Sequence, residues 1–536
     1  MDDRRKRLAL LAAIMGSFVA GLDATAVNVA LPAIRSDLGG GLAGQQWVSN
    51  AYLLTLGSLI LVGGSLGDIF GERRVFSLGV AGFGAVSVLC AVAPGIELLV
   101  AGRALQGAFG ALLTPSALAL IISAFPAAER GAAIGSWTAW SGIATVIGPL
   151  VGGYLVDAVS WRLIFAINVP FVALTLVLIA VSVPARERGG TRARLDWAGA
   201  LLTFFGLAGP VLALIRQPVV GWGSYQVWGA GIAGIALLAL FLAHERRTPA
   251  PMLPLGLFTR RNFAIGNVQT FAMYGGLSAT FFFLVLFLQQ VAGYDALEAG
   301  VALMPSTLVM FTLSKRMGRL ADRLGPRLFM GFGPLTAAAG LALMLRIGSG
   351  LDYTTDLLPA LLVFSLGLSL TVAPLTATVL ADADESNAGI ASGINNAIAR
   401  VAGLLAVAAI GAVVAAQFGS ALDDRLAGRT LSPAGRAAAA DARRQTLARV
   451  EPGAPGGAEI AGAVRAASDH AFHVGIGISA VLVGLGGVLG LAGIRNPRRA
   501  VRCEDCHGGQ LAGQPLDTAR GRPALEEPVA PGAAQA

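Results

Sequence analysis

Apolar runs of about eighteen or more residues recur along almost the whole chain, and each is long enough to cross about 30 Å of hydrocarbon as a helix. In order they predict spans near residues 8–32, 47–67, 76–94, 98–122, 132–156 and 163–183, a pair near 197–215 and 228–244, and then 263–291, 297–315, 328–347, 357–380, 389–418 and 471–494. Runs of this length exceed barrel strands, so helices are the expected solution. The predicted class is an all-α integral membrane protein of 14 transmembrane helices. A six-helix half occupies residues 1–183 and a second occupies 263–494; the linker 184–262 carries an inserted helix pair joined through Gly221, Trp222 and Gly223. Two segments read as extramembranous: the Ala- and Arg-rich loop 419–470, and a Gly- and Pro-containing tail at 495–536 that is expected to be disordered.

Composition agrees, because a chain with 55% hydrophobic and 13% charged residues lacks the polar groups for a water-facing surface. The net charge of +8 does not indicate nucleic acid, since the basic residues sit in short loops between apolar runs. With the N-terminus inside, Arg4, Arg5, Lys6, Arg7, Arg73 and Arg74 fall in the cytoplasm, as do the arginines of 186–194, 246–247, 260–261 and 323–327. Loops 221–227 and 292–297, assigned outside, carry no Lys or Arg, although Arg162 and Arg346 lie near other outer ends. The even helix number returns Arg495, Arg498 and Arg499 to the inside. The basic, then apolar start is read as the first membrane helix and not as a signal peptide, because its apolar run is long and further spans follow.

An internal repeat carries the organisation further. GSLGDIFGER at 64–73 and GRLADRLGPR at 318–327 both spell GxLxDxxGxR, each after the second helix of its half. Two parallel repeats related by an axis along the membrane normal are expected. Gly64, Gly71, Gly318 and Gly325 would permit close packing and a tight turn, while Asp68, Arg73, Arg74, Asp322 and Arg327 place opposite charges at the inner face.

These residues resemble the loop signature of the major facilitator superfamily. LDATAVNVALP at 22–32 is similar to the first-helix motif of its fourteen-helix drug:proton antiporter branch, RALQG at 103–107 to a fourth-helix motif, and GPLVGG at 148–153 to the fifth-helix motif of exporters. With INVP at 167–170, the resemblance covers nearly all of residues 8–494. It implies a major facilitator fold and a non-enzymatic antiporter that exports an antibiotic or other small amphipathic drug in exchange for protons. Ile69 and Glu72 depart from the signature, which often has basic residues there, and Arg400 stands one position later than the pattern's arginine, about 100° round the helix.

A coupled transporter needs a titratable group inside the membrane, and the first helix offers one deep acid, Asp23. Helix rise places Asp23 and Arg103 each about 8 Å from the outer surface. Burial and a neighbouring guanidinium act on a carboxyl group in opposite senses, which suits the pair to proton coupling. Gly148, Pro149, Gly152 and Gly153 would let the fifth helix bend and pack closely, as a gate requires. Asp68 is expected to latch onto the start of the thirteenth span near Asn387–Gly389. Asn28, Gln106, Gln269, Gln289, Asn395, Asn396 and Arg400 are candidates for the substrate cavity. No buried second acid awaits a doubly cationic substrate, so neutral, weakly cationic or anionic amphipathic compounds are favoured.

The energy source follows by exclusion. Only Lys6 and Lys315 are present and neither follows a glycine, so there is no Walker A motif, and an ion gradient remains; the resemblance favours protons over sodium. CEDCH at 503–507 has haem-attachment spacing, but the tail has little to build a pocket, so neither cofactor nor metal is expected. His244, His470 and His473 are read as helix-end residues. The expected partners are a small drug, protons and the lipid bilayer of a bacterial cell membrane, with a monomer as the working unit and no nucleic acid. A metabolite importer, a non-transporting membrane sensor and a redox protein with a haem-bearing tail are the alternatives.

Overall fold

A computed structural model of the chain describes residues 3–183, 196–249, 251–381 and 388–496. Its helices are α1 (Asp3–Leu38), α2 (Gly41–Phe70), α3 (Glu72–Ala91), α4 (Ile96–Ala124), α5 (Ala127–Ala158) and α6 (Leu163–Ser182, broken at Ile167), then α7 (Trp197–Val220) and α8 (Tyr225–Glu245). The second half comprises α9 (Arg261–Gln290), α10 (Ala296–Leu324, broken at Leu303), α11 (Pro326–Leu343), α12 (Leu358–Ala381), α13 (Ala388–Leu426) and α14 (Gly457–Gly493). Thirteen of these are long and apolar enough to cross a membrane over their described residues, and α5 adds a further 32-residue helix. The outward surface is apolar: Val181 on α6, Ile232 on α8 and Val481 on α14 are each more than 60% exposed. Such a surface is stable only in lipid, and the chain is a multi-pass membrane protein.

Packing reproduces the repeat. In the first half α4 packs on α2 and α3, and α1 on α5 and α6; in the second, α12 packs on α10 and α11, and α9 on α13 and α14. The halves meet where α2 lies against α13 and α5 against α10, contacts that exchange under the repeat. The inserted pair α7–α8 packs on itself and leans through α7 on α2 and α13.

The repeated loop has the same geometry twice. Gly71 (φ 88°, ψ 138°) alone joins α2 to α3, and Gly325 (φ 90°, ψ 146°) alone joins α10 to α11. Residues with a Cβ avoid this region, so the second glycine of GxLxDxxGxR is required by the turn itself. The first glycine serves packing: a Cβ on Gly64 would touch Pro115 of α4, and one on Gly318 would touch Ala373 of α12. Gly325→Ala is expected to cost about 1–3 kcal/mol of strain and to lower the thermal unfolding midpoint of the purified protein in detergent, whereas Gly350→Ala, in open space at ordinary φ, should not.

The end of the bundle bearing these loops is termed the basic end, and the opposite end, bearing residues 427–456, the loop end. At the basic end the Arg327 Nε donates to the Leu491 carbonyl (2.7 Å) and the Arg261 Nε to the Gly493 carbonyl (2.7 Å), capping α14. The loop end, read from the sequence as an extramembranous loop, is largely helical. Helix α13 continues to Leu426 and α14 begins at Gly457, not near 471, with a short helix Pro433–Gln445 between them. Ser432 caps that helix and donates to the Glu459 carboxylate (2.6 Å), and Arg443 pairs with Asp423. The extension of α14 corrects two histidines. His470 and His473 lie within the helix, next to Gln417 and the Ile347 carbonyl, while His244 does sit at the end of α8 beside Asp196 (2.9 Å). The side chain of Asp68, residues 382–387, and the tail with CEDCH lie outside the described residues.

Candidate functional site

Long apolar helices can bury a charge only by pairing it, and among the described residues the first half does so at its centre. Asp23 of α1 and Arg103 of α4 are 0% and 1% exposed, with Arg103 Nη1 2.6 Å from Asp23 Oδ2. The depths estimated from sequence therefore correspond to direct contact. Gln106, one turn along α4, accepts from Arg103 Nη1 (2.6 Å) and donates to Asp23 Oδ1 (3.0 Å) and Ser87 Oγ of α3 (2.9 Å). Asn168 of α6 donates to the same Asp23 oxygen (3.1 Å), and Arg103 Nε donates to the Val48 carbonyl of α2 (3.1 Å). The guanidinium carbon lies 4.3 Å from the Tyr52 ring centroid. Five helices thus meet in one network around this carboxylate.

This network differs from the sequence reading in two ways. Gln106, a candidate for the cavity wall, is fully buried and serves the Asp23 pair. Asn168, Ser87 and Tyr52 were given no role; Asn168 lay within the INVP stretch, but one polar residue in an apolar helix gives no direction. The Oδ1 of Asn168 has no described partner although it is buried, so the amide is held by what it donates. Asn168→Leu should remove one donor to Asp23, destabilise the folded protein by about 1–3 kcal/mol and show as a lowered unfolding midpoint, an effect that Asn168→Ser should reduce.

The glycines of α5 bind this centre to the opposite half. A Cβ on Gly148 would strike Thr25 Oγ1 and approach the Leu22 carbonyl, and one on Gly152 would meet Ala26, so α5 lies directly on the Asp23 turn of α1. Gly153 faces the backbone of Ala296 and Leu297 on α10, and Gly300 of α10 faces the Pro149 carbonyl. The small residues are spaced for two contacts at once, one on each side of α5. Asp157 then accepts from the backbone N–H of Leu297 (2.7 Å) and Ala296 (3.2 Å), fastening the start of α10 to the end of α5.

Other seams between the halves also lie toward the loop end. Gln289 of α9 donates to the Val29 carbonyl (2.9 Å), Arg35 to Gln290 (2.8 Å) and Gln46 to the Val407 carbonyl (2.8 Å). The structure is closed at this end, and Gln289 belongs to the closure. Of the remaining cavity candidates, Gln269 is buried and donates to the Met330 carbonyl of α11, and Asn395 is buried against Asn267 (3.1 Å) and Thr270 (2.8 Å) of α9. Both tie helices together within the second half and do not line a cavity, because inward-facing helix positions are divided between neighbour contacts and the central space. Asn28 is half-buried, with its amide near the Ala24 carbonyl, and Asn396 and Arg400 are exposed on α13.

Comparison with known proteins gives this arrangement its family. A profile of the Major Facilitator Superfamily matches residues 13–407. The chain belongs to the major facilitator superfamily. Among its relatives, this facilitator is 34% identical to the tetracenomycin C resistance and export protein of Streptomyces glaucescens, over 89% of this chain and 88% of that one. It is 36% identical to a puromycin resistance protein of Streptomyces alboniger, over 77% and 82%, and 35% identical to the multidrug resistance protein Stp of Mycobacterium tuberculosis, over 79% of each. Its fold is similar to an inward-facing, unoccupied bacterial homologue of the lysosomal transporter Spinster, with a TM-score of 0.64 at 15% identity over 92% of this chain and 99% of that one. The facilitator is a transporter and not an enzyme.

Proposed function

We propose that this facilitator exports a small amphipathic drug, such as an antibiotic, across the bacterial cell membrane in exchange for protons, and so confers resistance. The observation that carries the reading is the fully buried carboxylate of α1, Asp23, held by Arg103, Gln106 and Asn168 on a turn against which the α5 glycines pack. Relatives named for resistance and export support the direction of transport, as does the GPLVGG stretch.

In this reading the basic end faces the cytoplasm, both termini are inside, and the loop end faces out. Protonation of Asp23 removes the charge that holds Arg103 at 2.6 Å. The freed guanidinium turns to its remaining acceptors, Gln106 and the Val48 carbonyl, and α1 shifts against α5. Because α5 also carries the seam with α10, that shift bears on closure at the outer end, which is the link alternating access requires. Gly64, Asp68, Gly71, Arg73 and Arg74, with Gly318, Asp322, Gly325 and Arg327, form the gating loops at the inner face, Asp68 latching to the start of α13. One chain contains both halves, so a monomer suffices.

The test is a drug-sensitive bacterial host expressing the protein. Resistance to at least one antibiotic should appear, and cell-associated drug should rise when a protonophore collapses the gradient. Unchanged sensitivity across a broad antibiotic panel, with the protein present in the membrane, would count against export.

A further inference from the structure

The molecule contains a second arginine within a membrane helix, and its surroundings are the opposite of those of Arg103. Arg400 is the thirteenth residue of α13, about 18 Å along the helix from Ala388 and so near mid-membrane depth. It is exposed, and among the described residues no hydrogen bond or ion pair reaches it. Its Cβ lies 3.4 Å from where a Cβ on Gly57 would stand, so the side chain leaves α13 at the seam with α2. Asn396, one turn nearer the basic end on the same face, is also exposed, whereas Leu404, one turn nearer the loop end on that face, is buried, as is Ala402 on the far side of the helix. Arg400 and Asn396 therefore face the space between the halves.

A guanidinium in a low-dielectric space with no counter-charge is costly, and Asp23, the carboxylate buried nearby, is already committed to Arg103. The missing charge fits a ligand. Resting on the export reading, we propose that Arg400 is the anion-recognition group of the substrate cavity. The substrates it selects are amphipathic compounds with a carboxylate, or a similarly ionised oxygen, on an apolar ring system. The planar fork of the guanidinium matches a carboxylate bidentately, and the Asn396 amide supplies a further donor on the same face. Arg400 equally repels cations, which find no exposed acid on this face of α13.

Equilibrium dialysis of purified protein against anthraquinone-2-carboxylate and its methyl ester tests this without needing transport. Wild type should bind the acid about tenfold or more tightly than the ester, ~1.4 kcal/mol. Arg400→Gln should bind both like the ester, and Arg400→Lys should keep part of the preference, each variant first shown to elute and melt like wild type. No preference in wild type, or a preference that survives in Arg400→Gln, would overturn the proposal; should Arg400→Gln not fold, the wild-type preference and its decrease in Arg400→Lys decide. The export reading fails separately, if proteoliposomes move no compound while the acid still binds through Arg400.

Discussion

Asp23→Asn is expected to abolish gradient-driven efflux while leaving a protein that still reaches the membrane. An amide cannot take up and release the proton, so substrate should exchange down its own gradient but no longer accumulate against it. The substitution also leaves Arg103 buried at 1% exposure with neutral acceptors and no counter-charge. Removing one member of a buried pair typically costs about 3–5 kcal/mol, so the unfolding midpoint should drop as well. The double variant Asp23→Asn/Arg103→Gln separates the two effects, because it removes both charges. Its stability should recover and its coupling should not. Recovery of both would mean that the pair only fixes helix packing.

Gly153→Leu should shift the molecule away from the loop-end-closed state. A Cβ at this position would already stand 2.6 Å from the Leu297 Cα and 2.7 Å from the Ala296 carbonyl oxygen, and both are backbone atoms that cannot turn aside. Overpacking of this kind costs about 1–3 kcal/mol, which corresponds to a change of roughly 5- to 150-fold in the ratio of closed to open states. Gln289→Cys, placed where the native amide bonds Val29 in the closed seam, reports the change with a membrane-impermeant maleimide after Cys503 and Cys506 are made serine. Labelling should rise about tenfold or more in Gly153→Leu, and efflux should fall. Unaltered labelling would show that the α5–α10 contact does not control the gate.

What could be read from the sequence was what leaves an unambiguous trace in one dimension. Apolar runs locate spans because hydrocarbon tolerates little else, and the twice-occurring GxLxDxxGxR located the repeat because one glycine must adopt φ near 90° in both turns. Asp23 and Arg103 could be matched because each is the lone charge within the apolar run of its helix, 8–32 and 98–122, and helix rise sets depth. Polar amides were harder. Gln106, Gln269 and Asn395 serve helix contacts while Asn396 faces open space, and the difference lies in rotation about the helix axis, which a spacing of one residue changes by about 100°. The start of α14 was hidden for another reason. Residues 457–470 are alanine-rich but carry Glu459, Arg465 and Asp469, so they form helix without the apolar signal of a span.

Inside-out membrane vesicles loaded with acid test the central claim most directly, by recording proton movement when an exported compound is added. Proton release that depends on the compound, is present in wild type and is absent in Asp23→Asn is the predicted result. Transport of the compound with no accompanying proton movement, or equal proton release in Asp23→Asn, would contradict it.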